Sequence, residues 1–370
     1  MVLRVGVIGG GQLARMMIPA AVRLGVEIRV LAESEGSSAA LAATAVGDYR
    51  DAATVLAFAR DVDVVTFDHE HVPQEVLAAL VAAGVAVRPE PEALRYAQDK
   101  LQMRARLAEL GAPQPDWAAV STAEDLELFI ADHGGVAVVK TPRGGYDGKG
   151  VRVVRSAADV ADWLAAGEPL LAEERVGFLR ELAQQVARRP SGEHVVYPLV
   201  ESEQRDGVCA EVIAPAPHAG RVAQAAARVA VAIADGLDVS GMLAVELFET
   251  GDGRVLVNEL AMRPHNSGHW SIEGAVTDQF EQHLRAVLDL PLGATDIRAP
   301  WTVMVNLLGG PADGDLDRPR RRAFADQPTA AVHLYGKTPR PGRKVGHVTA
   351  SGADLDEVAF VARAAATAFS

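Results

Sequence analysis

Along the first hundred positions the hydrophobic residues fall into short runs separated by amphipathic stretches. Residues 4–8, 27–31 and 62–67 are apolar runs of strand length, whereas 12–24, 51–60 and 73–83 carry the three-to-four-residue spacing of helices. Strands apolar on both faces and alternating with helices predict a parallel sheet covered on its two sides. Arg88-Pro89-Glu90-Pro91 closes this unit as a boundary. A helix over 101–110 follows and stops at Gly111, and Ser121 with Glu124 has capping-box spacing before the next helix. From residue 136 the pattern changes to strands, expected at 136–140, 151–155, 170–173, 181–188, 195–200 and 208–213. Helix 222–235 and a strand pair at 242–250 and 254–260 complete this middle region. A parallel α/β front followed by a mainly antiparallel middle excludes one continuous Rossmann sheet.

Composition narrows the function. There are 36 basic and 49 acidic residues, a net charge of −13, so the surface repels phosphate backbones and disfavours nucleic acid. Small anionic substrates remain open, because a closed pocket can carry its own arginines and lysines. The single cysteine, Cys209, excludes an intrachain disulfide. No export signal is legible at the N-terminus, and no apolar run approaches the roughly 20 residues that span a bilayer. A cytoplasmic protein with no membrane association is expected.

Three stretches carry chemistry. Gly9-Gly10-Gly11-Gln12-Leu13-Ala14 lies between a strand and a helix, with Glu33 about 20 residues on, the spacing of a dinucleotide-binding turn whose acid meets a ribose hydroxyl. An NAD-dependent dehydrogenase is therefore one reading; another anionic ligand, or a glycine turn with no ligand, are others. The second stretch runs from Val138-Val139-Lys140 through Gly144-Gly145-Tyr146-Asp147-Gly148-Lys149-Gly150 to Val151. Four glycines let backbone N–H groups approach phosphate oxygens, and two lysines supply charge that a plain turn does not need. No Ser or Thr follows Lys149, so it is not a Walker A loop. Third, Glu246 and Glu259 lie on strands joined by Gly251-Asp252-Gly253 and come near-opposite when counted from the turn. Like charges facing across a sheet are destabilising, and a divalent cation relieves them; oxygen donors beside a phosphate cradle suit Mg²⁺. Asn258 adds an oxygen nearby, although strict alternation sends it to the opposite face.

Lys140, the 144–150 loop, Glu173-Glu174 and the Glu246, Asn258-Glu259 group together resemble an ATP-grasp nucleotide site. Met262-Arg263-Pro264-His265-Asn266-Ser267-Gly268-His269-Trp270 and Arg340-Pro341-Gly342-Arg343-Lys344-Val345-Gly346-His347 are similar to signatures of the carboxyaminoimidazole ribonucleotide synthetase family. The resemblance spans residues 9–347. It implies a fold of mixed α/β and α+β class: a Rossmann-like pre-ATP-grasp substrate domain over 1–97, an ATP-grasp domain over 98–291, and a C-terminal region over 292–370 completing the substrate site. It implies a homodimeric ligase of purine biosynthesis that uses ATP, Mg²⁺ and bicarbonate to carboxylate 5-aminoimidazole ribonucleotide. The nucleotide is expected at Arg95, Lys140, Gly145, Tyr146, Asp147, Gly148, Lys149, Gly150, Glu173, Glu174, Val176, Glu181, Asn258 and Glu259, with Mg²⁺ on Glu246 and Glu259. The ribonucleotide is expected at Gln12, Glu70, Tyr146, Arg263, His265, Asn266 and Ser267, with Lys337, Arg343 and Lys344 near its phosphate. Lys149, Asp147 and Arg263 are the expected catalytic residues. Asp68 and Gln204 depart from the family pattern, and Gln204 receives no role. Other ATP-grasp carboxylases, formate-dependent transformylases and a non-catalytic nucleotide sensor are the remaining alternatives.

Overall fold

The computed structural model describes residues 2–145, 149–205 and 207–369. Four strands, β1 (Arg4–Ile8), β2 (Glu27–Ala32), β3 (Ala43–Val46) and β4 (Val64–Phe67), form a parallel sheet in the order β3-β2-β1-β4. Residues of β1 and β4 are almost wholly buried, which is why they read as unbroken apolar runs. Helix Gln12–Leu24 starts and ends where its glycines demand, with Gly25 in the left-handed conformation (φ 64°) at its C-terminus. The proline-rich stretch expected to be only a boundary instead starts a helix, Pro91–Gln98, because proline at the first helical position loses no hydrogen bond. The capping box falls one residue later than expected, on Thr122 and Asp125.

A second sheet of four antiparallel strands contains β5 (Trp117–Val120), β6 (Ala137–Lys140), β7 (Val151–Val154) and β8 (Leu170–Glu174), in the order β5-β8-β6-β7. A nine-stranded sheet takes the rest of the chain. Its members are β9 (Phe178–Arg188), β10 (His194–Val196), β11 (Val200–Arg205), β12 (Val208–Ala214), β13 (Gly241–Thr250), β14 (Val255–Ala261), β15 (Trp301–Leu308), β16 (Ala331–Leu334) and β17 (Lys344–Gly352). The order is β14-β13-β9-β11-β12-β15-β17-β16, with β10 on β9. The strand expected over 195–200 is two strands, since Pro198 has no N–H to give the ladder. The C-terminal strands continue the central sheet through the β12–β15 pair rather than forming a separate sheet. Among the described residues no helix is long and apolar enough to cross a membrane.

Helix Gln279–Val287 joins the parallel sheet to the large one. Phe280, Leu284 and Val287 pack in the same cluster as Leu13, Met17 and Val64. His283, wholly buried in this helix, faces Thr66 Oγ1 of β4 from Nε2 at 2.8 Å and accepts the Met242 N–H of β13 at Nδ1 (3.1 Å). Burial pushes its pKa down to about 3, so it stays neutral while folded and takes up a proton on unfolding. His283 therefore contributes stability that is full above the ordinary histidine range and lost as pH falls from about 6.5 toward 3. His283→Leu strands the Thr66 hydroxyl and the Met242 N–H, and is expected to cost about 2–4 kcal/mol at neutral pH. Urea unfolding checks this; an unchanged midpoint would contradict it.

Candidate active site

The three sheets surround one cavity of about 2260 Å³. On one side of it, β6 ends at Lys140 and the chain turns through the glycine-rich loop. Gly144 and Gly150 adopt φ values of 73° and 74°, and a Cβ on Gly150 would stand 2.4 Å from Thr141 Oγ1, so the loop closes only with glycine there. Gly145 and Lys149 line the cavity, whereas Tyr146, Asp147 and Gly148 lie outside the described residues.

Lys140 Nζ is 2.7 Å from Glu173 Oε2 and donates to Asn258 Oδ1 at 3.2 Å. Glu173 Oε1 pairs with Arg104 Nε at 2.6 Å, and the Arg104 guanidinium also donates to the carbonyls of Val257 (2.7 Å) and Asn258 (2.8 Å). Burial opposes the charge on Glu173, but Lys140 and Arg104 outweigh it and hold the pKa below the ordinary glutamate value. The Glu173 carboxylate is thus an internal brace, spoken for by two cations. Glu174, Val176 and Glu181 line the cavity beside it, together with Phe178 and Phe248, whose rings stack at 4.6 Å. Arg95 lies at the cavity's edge and pairs with Glu92 on its own helix at 2.6 Å.

The acidic pair is in register: Glu246 of β13 faces Glu259 of β14. The register shifts immediately after it, so that Leu247 faces Val257 and Asn258 is the extra, bulged residue. That bulge overrides strict alternation and turns Asn258 toward Lys140 on the same side as the glutamates, correcting the expected opposite face. Burial, then the charges of Glu259 and Glu181, raise the Glu246 pKa to about 8; burial raises Glu181 to about 7. Lys100 Nζ sits 2.6 Å from Glu259 Oε1. Among the described residues no group of three or more His, Cys, Asp or Glu is placed to hold a metal. Two facing carboxylates whose mutual repulsion a cation would relieve nevertheless fit Mg²⁺, whose remaining ligands are commonly phosphate oxygens and water.

The other end of the cavity draws on all three regions of the chain. Arg263 Nε pairs with Glu70 Oε1 at 2.7 Å, and Lys337 Nζ donates to Gln12 Oε1 at 2.8 Å. His265 Nδ1 accepts from Ser267 N at 3.4 Å and lies 2.9 Å from its Oγ, which turns Nε2 toward Glu246 Oε1, 3.4 Å away. Burial, then Arg263 and Lys344, push the His265 pKa far below its usual value, so the ring is neutral. Asn266, Arg343 and Lys344 also line this end.

The N-terminal glycine turn is closed against a dinucleotide. The Gly10 N–H donates to Glu33 Oε2 (3.1 Å) and the Ala14 N–H to Asp68 Oδ1 (2.7 Å), so protein carboxylates occupy donors that a pyrophosphate would use. Glu33, the expected ribose ligand, also holds His69 at 3.1 Å, and the two bonds pull its pKa to about 2. A Cβ on Gly11 would stand 2.0 Å from Asp68 Oδ2. Lys100, Arg104 and Phe248 were not anticipated. Phe248 shares a strand face with Glu246, a period-two signal that could have revealed it; Lys100 and Arg104 carry no local signal.

An α/β substrate unit followed by two sheets that close on a glycine-rich loop, a lysine and paired glutamates defines an ATP-grasp ligase. Family profiles agree: a ribonucleotide synthetase preATP-grasp domain matches residues 2–98, an ATP-grasp domain 105–280, and a phosphoribosylaminoimidazole carboxylase C-terminal domain 302–360. The N5-carboxyaminoimidazole ribonucleotide synthase of Mycobacterium tuberculosis is 52% identical over 371 residues, covering 98% of this chain and 86% of that protein. That of Corynebacterium ammoniagenes is 49% identical over 374 residues, 98% of this chain and 91% of that protein. Among solved structures, the Aspergillus clavatus N5-carboxyaminoimidazole synthase in complex with ADP and 5-aminoimidazole ribonucleotide superposes with a TM-score of 0.90 at 32% identity, covering 99% of this chain and 98% of that one. The chain belongs to the N5-carboxyaminoimidazole ribonucleotide synthase family.

A protonated Glu246 gives a pH signature. Its folded-state pKa of about 8 lies above the ordinary 4.5, so between those values the folded protein binds the proton more tightly and stability falls as pH rises. In metal-free protein the melting temperature is expected to fall across that window relative to Glu246→Gln, which lacks this titration. Parallel profiles for the two proteins would remove Glu246 as the cause.

Proposed function

We infer that the chain carboxylates 5-aminoimidazole ribonucleotide at its exocyclic amine, using ATP and bicarbonate and releasing ADP and phosphate. The observation that carries this reading is one cavity that brings Lys140 and the Glu246–Glu259 pair together with Arg263, His265, Lys337 and Lys344, the His265 ring lying 3.4 Å from Glu246. An acidic chain of net charge −13 concentrates cations here, where an anionic nucleotide and a ribonucleotide phosphate would both need them.

ATP's terminal phosphoryl passes to a bicarbonate oxygen, breaking its bond to ADP. The activated carboxyl carbon then bonds to the amine nitrogen as phosphate leaves and the amine gives up a proton. Lys140, Lys149 and the backbone of Gly145 and Gly150 hold the phosphates, and Glu174, Val176 and Glu181 line the nucleoside. Lys100, 2.6 Å from Glu259, lines the same cavity and adds positive charge beside the phosphates. Glu246 and Glu259 would hold the ion, which supplies charge neutralisation at the transferred phosphoryl group. Gln12, Glu70, Arg263, His265, Asn266 and Ser267 orient the ribonucleotide, and Lys337, Arg343 and Lys344 meet its phosphate. By family likeness the enzyme works in the cytoplasm, in purine biosynthesis, as a homodimer; light scattering would then give about twice the 39.0 kDa chain mass.

The test is ADP release with ATP, Mg²⁺ and bicarbonate, with and without 5-aminoimidazole ribonucleotide. Release that depends on the ribonucleotide is expected; a folded, ATP-binding protein that ignores it would overturn the assignment. Glu259→Gln is expected to lower turnover by about a hundredfold or more with an unchanged circular dichroism spectrum, because it weakens charge stabilisation in the transition state. Turnover within about twofold of the parent would remove Glu259 from the metal site.

A further inference from the structure

Helix Gln279–Val287 begins at a buried amide that faces the substrate segment from behind. Gln279 has no exposed surface. Its Oε1 accepts the His265 N–H at 2.8 Å, and its Nε2 donates to the His265 carbonyl at 2.9 Å and to His269 Nδ1 at 2.8 Å. One side chain thus satisfies both main-chain groups of one residue, as a neighbouring strand would. A side-chain amide offers a donor and an acceptor side by side in this way without any change of protonation. The Gln279 N–H donates to Ser271 Oγ at 2.9 Å, anchoring the far end of the same segment. The segment lies directly on this amide: a Cβ on Gly268 would stand 2.3 Å from Gln279 Oε1.

We propose that Gln279, which is not among the cavity-lining residues, is a positioning residue that holds the 265–267 segment in its substrate-binding geometry through the main chain of His265. His265 caps a three-residue turn, Asn266–Gly268, with little structure of its own, and the segment carries two groups that face the cavity, His265 and Asn266. The His265 ring is aimed at Glu246. Asn266 is 6% exposed and lines the cavity. Displacing His265 would move both groups, and errors of about 1 Å at a reacting site can cost about a hundredfold in rate. The proposal rests on the reading that His265 and Asn266 meet the ribonucleotide.

The same helix contains its own control. Gln282 makes the same two-bond clamp on Gly293, donating to its carbonyl at 2.7 Å and accepting its N–H at 2.8 Å, in a loop away from the cavity. Gln279→Glu keeps the acceptor but loses both donors, and Gln279→Asn shortens the amide while leaving it polar. Both are expected to raise the KM for 5-aminoimidazole ribonucleotide about tenfold or more while the KM for ATP stays within about twofold. Gln282→Leu is expected to lower the melting temperature and leave both KM values unchanged. Equal KM shifts in the Gln279 and Gln282 variants, or none in either Gln279 variant, would overturn the proposal. His265→Ala separates the two ideas. If it raises the ribonucleotide KM and the Gln279 variants do not, the clamp is wrong; if it leaves that KM unchanged, the substrate reading beneath the clamp is wrong.

Discussion

The buried chain of charges Arg104–Glu173–Lys140 holds one side of the cavity together. Glu173 is 4% exposed at its side chain and Arg104 not at all, so either charge left alone would cost several kcal/mol. Paired, they join three elements distant in sequence: the helix Lys100–Glu109, the small sheet through β6 and β8, and the edge strand β14 of the large sheet. Arg104 has donors to spare, and it uses them on the carbonyls at the β14 bulge. That bulge turns Asn258 toward Lys140, and Glu259 follows it in register with Glu246. Lys140 and the acidic pair are therefore set by the same interaction.

At the opposite end the logic is assembly by convergence. Gln12 comes from the parallel sheet, Arg263 from the strand end of the large sheet, and Lys337 from its C-terminal extension, and each is held by a partner from another region. Because β15 adds to β12, the C-terminal strands extend the sheet to the cavity, where Lys344 opens β17 and Lys337 and Arg343 lie in the loop before it. Helix Gln279–Val287 braces this arrangement from beneath, with Gln279 under the substrate segment and His283 between β4 and β13.

Much of this is legible in the sequence. The first strand and helix fall where apolar periodicity puts them, and the glycines at 144 and 150 take the left-handed conformations their spacing suggests. The Glu246–Glu259 pairing follows from counting outward from a turn, because a short hairpin converts sequence distance into register. Asn258 shows the limit of that counting: one bulge reverses the face of the residue, and no propensity announces it.

The glycine turn at 9–14 marks the boundary most clearly. Its sequence prescribes a tight strand-to-helix turn, since backbone conformation is a local property of glycine. Whether its donors serve a dinucleotide was decided by Glu33 and Asp68, which arrive from other strands and take the N–H groups of Gly10 and Ala14. Lys100, Arg104 and Gln279 belong on the same side of the line. Periodicity and spacing report which face a residue occupies within its own element, and so they determined the elements, the loop and the acidic pair. The partners of these three lie between 10 and 159 positions away for the charged pair, and between 8 and 14 away for Gln279. Only packing one element on another brings such groups within hydrogen-bonding distance, and so only the tertiary structure could assign them.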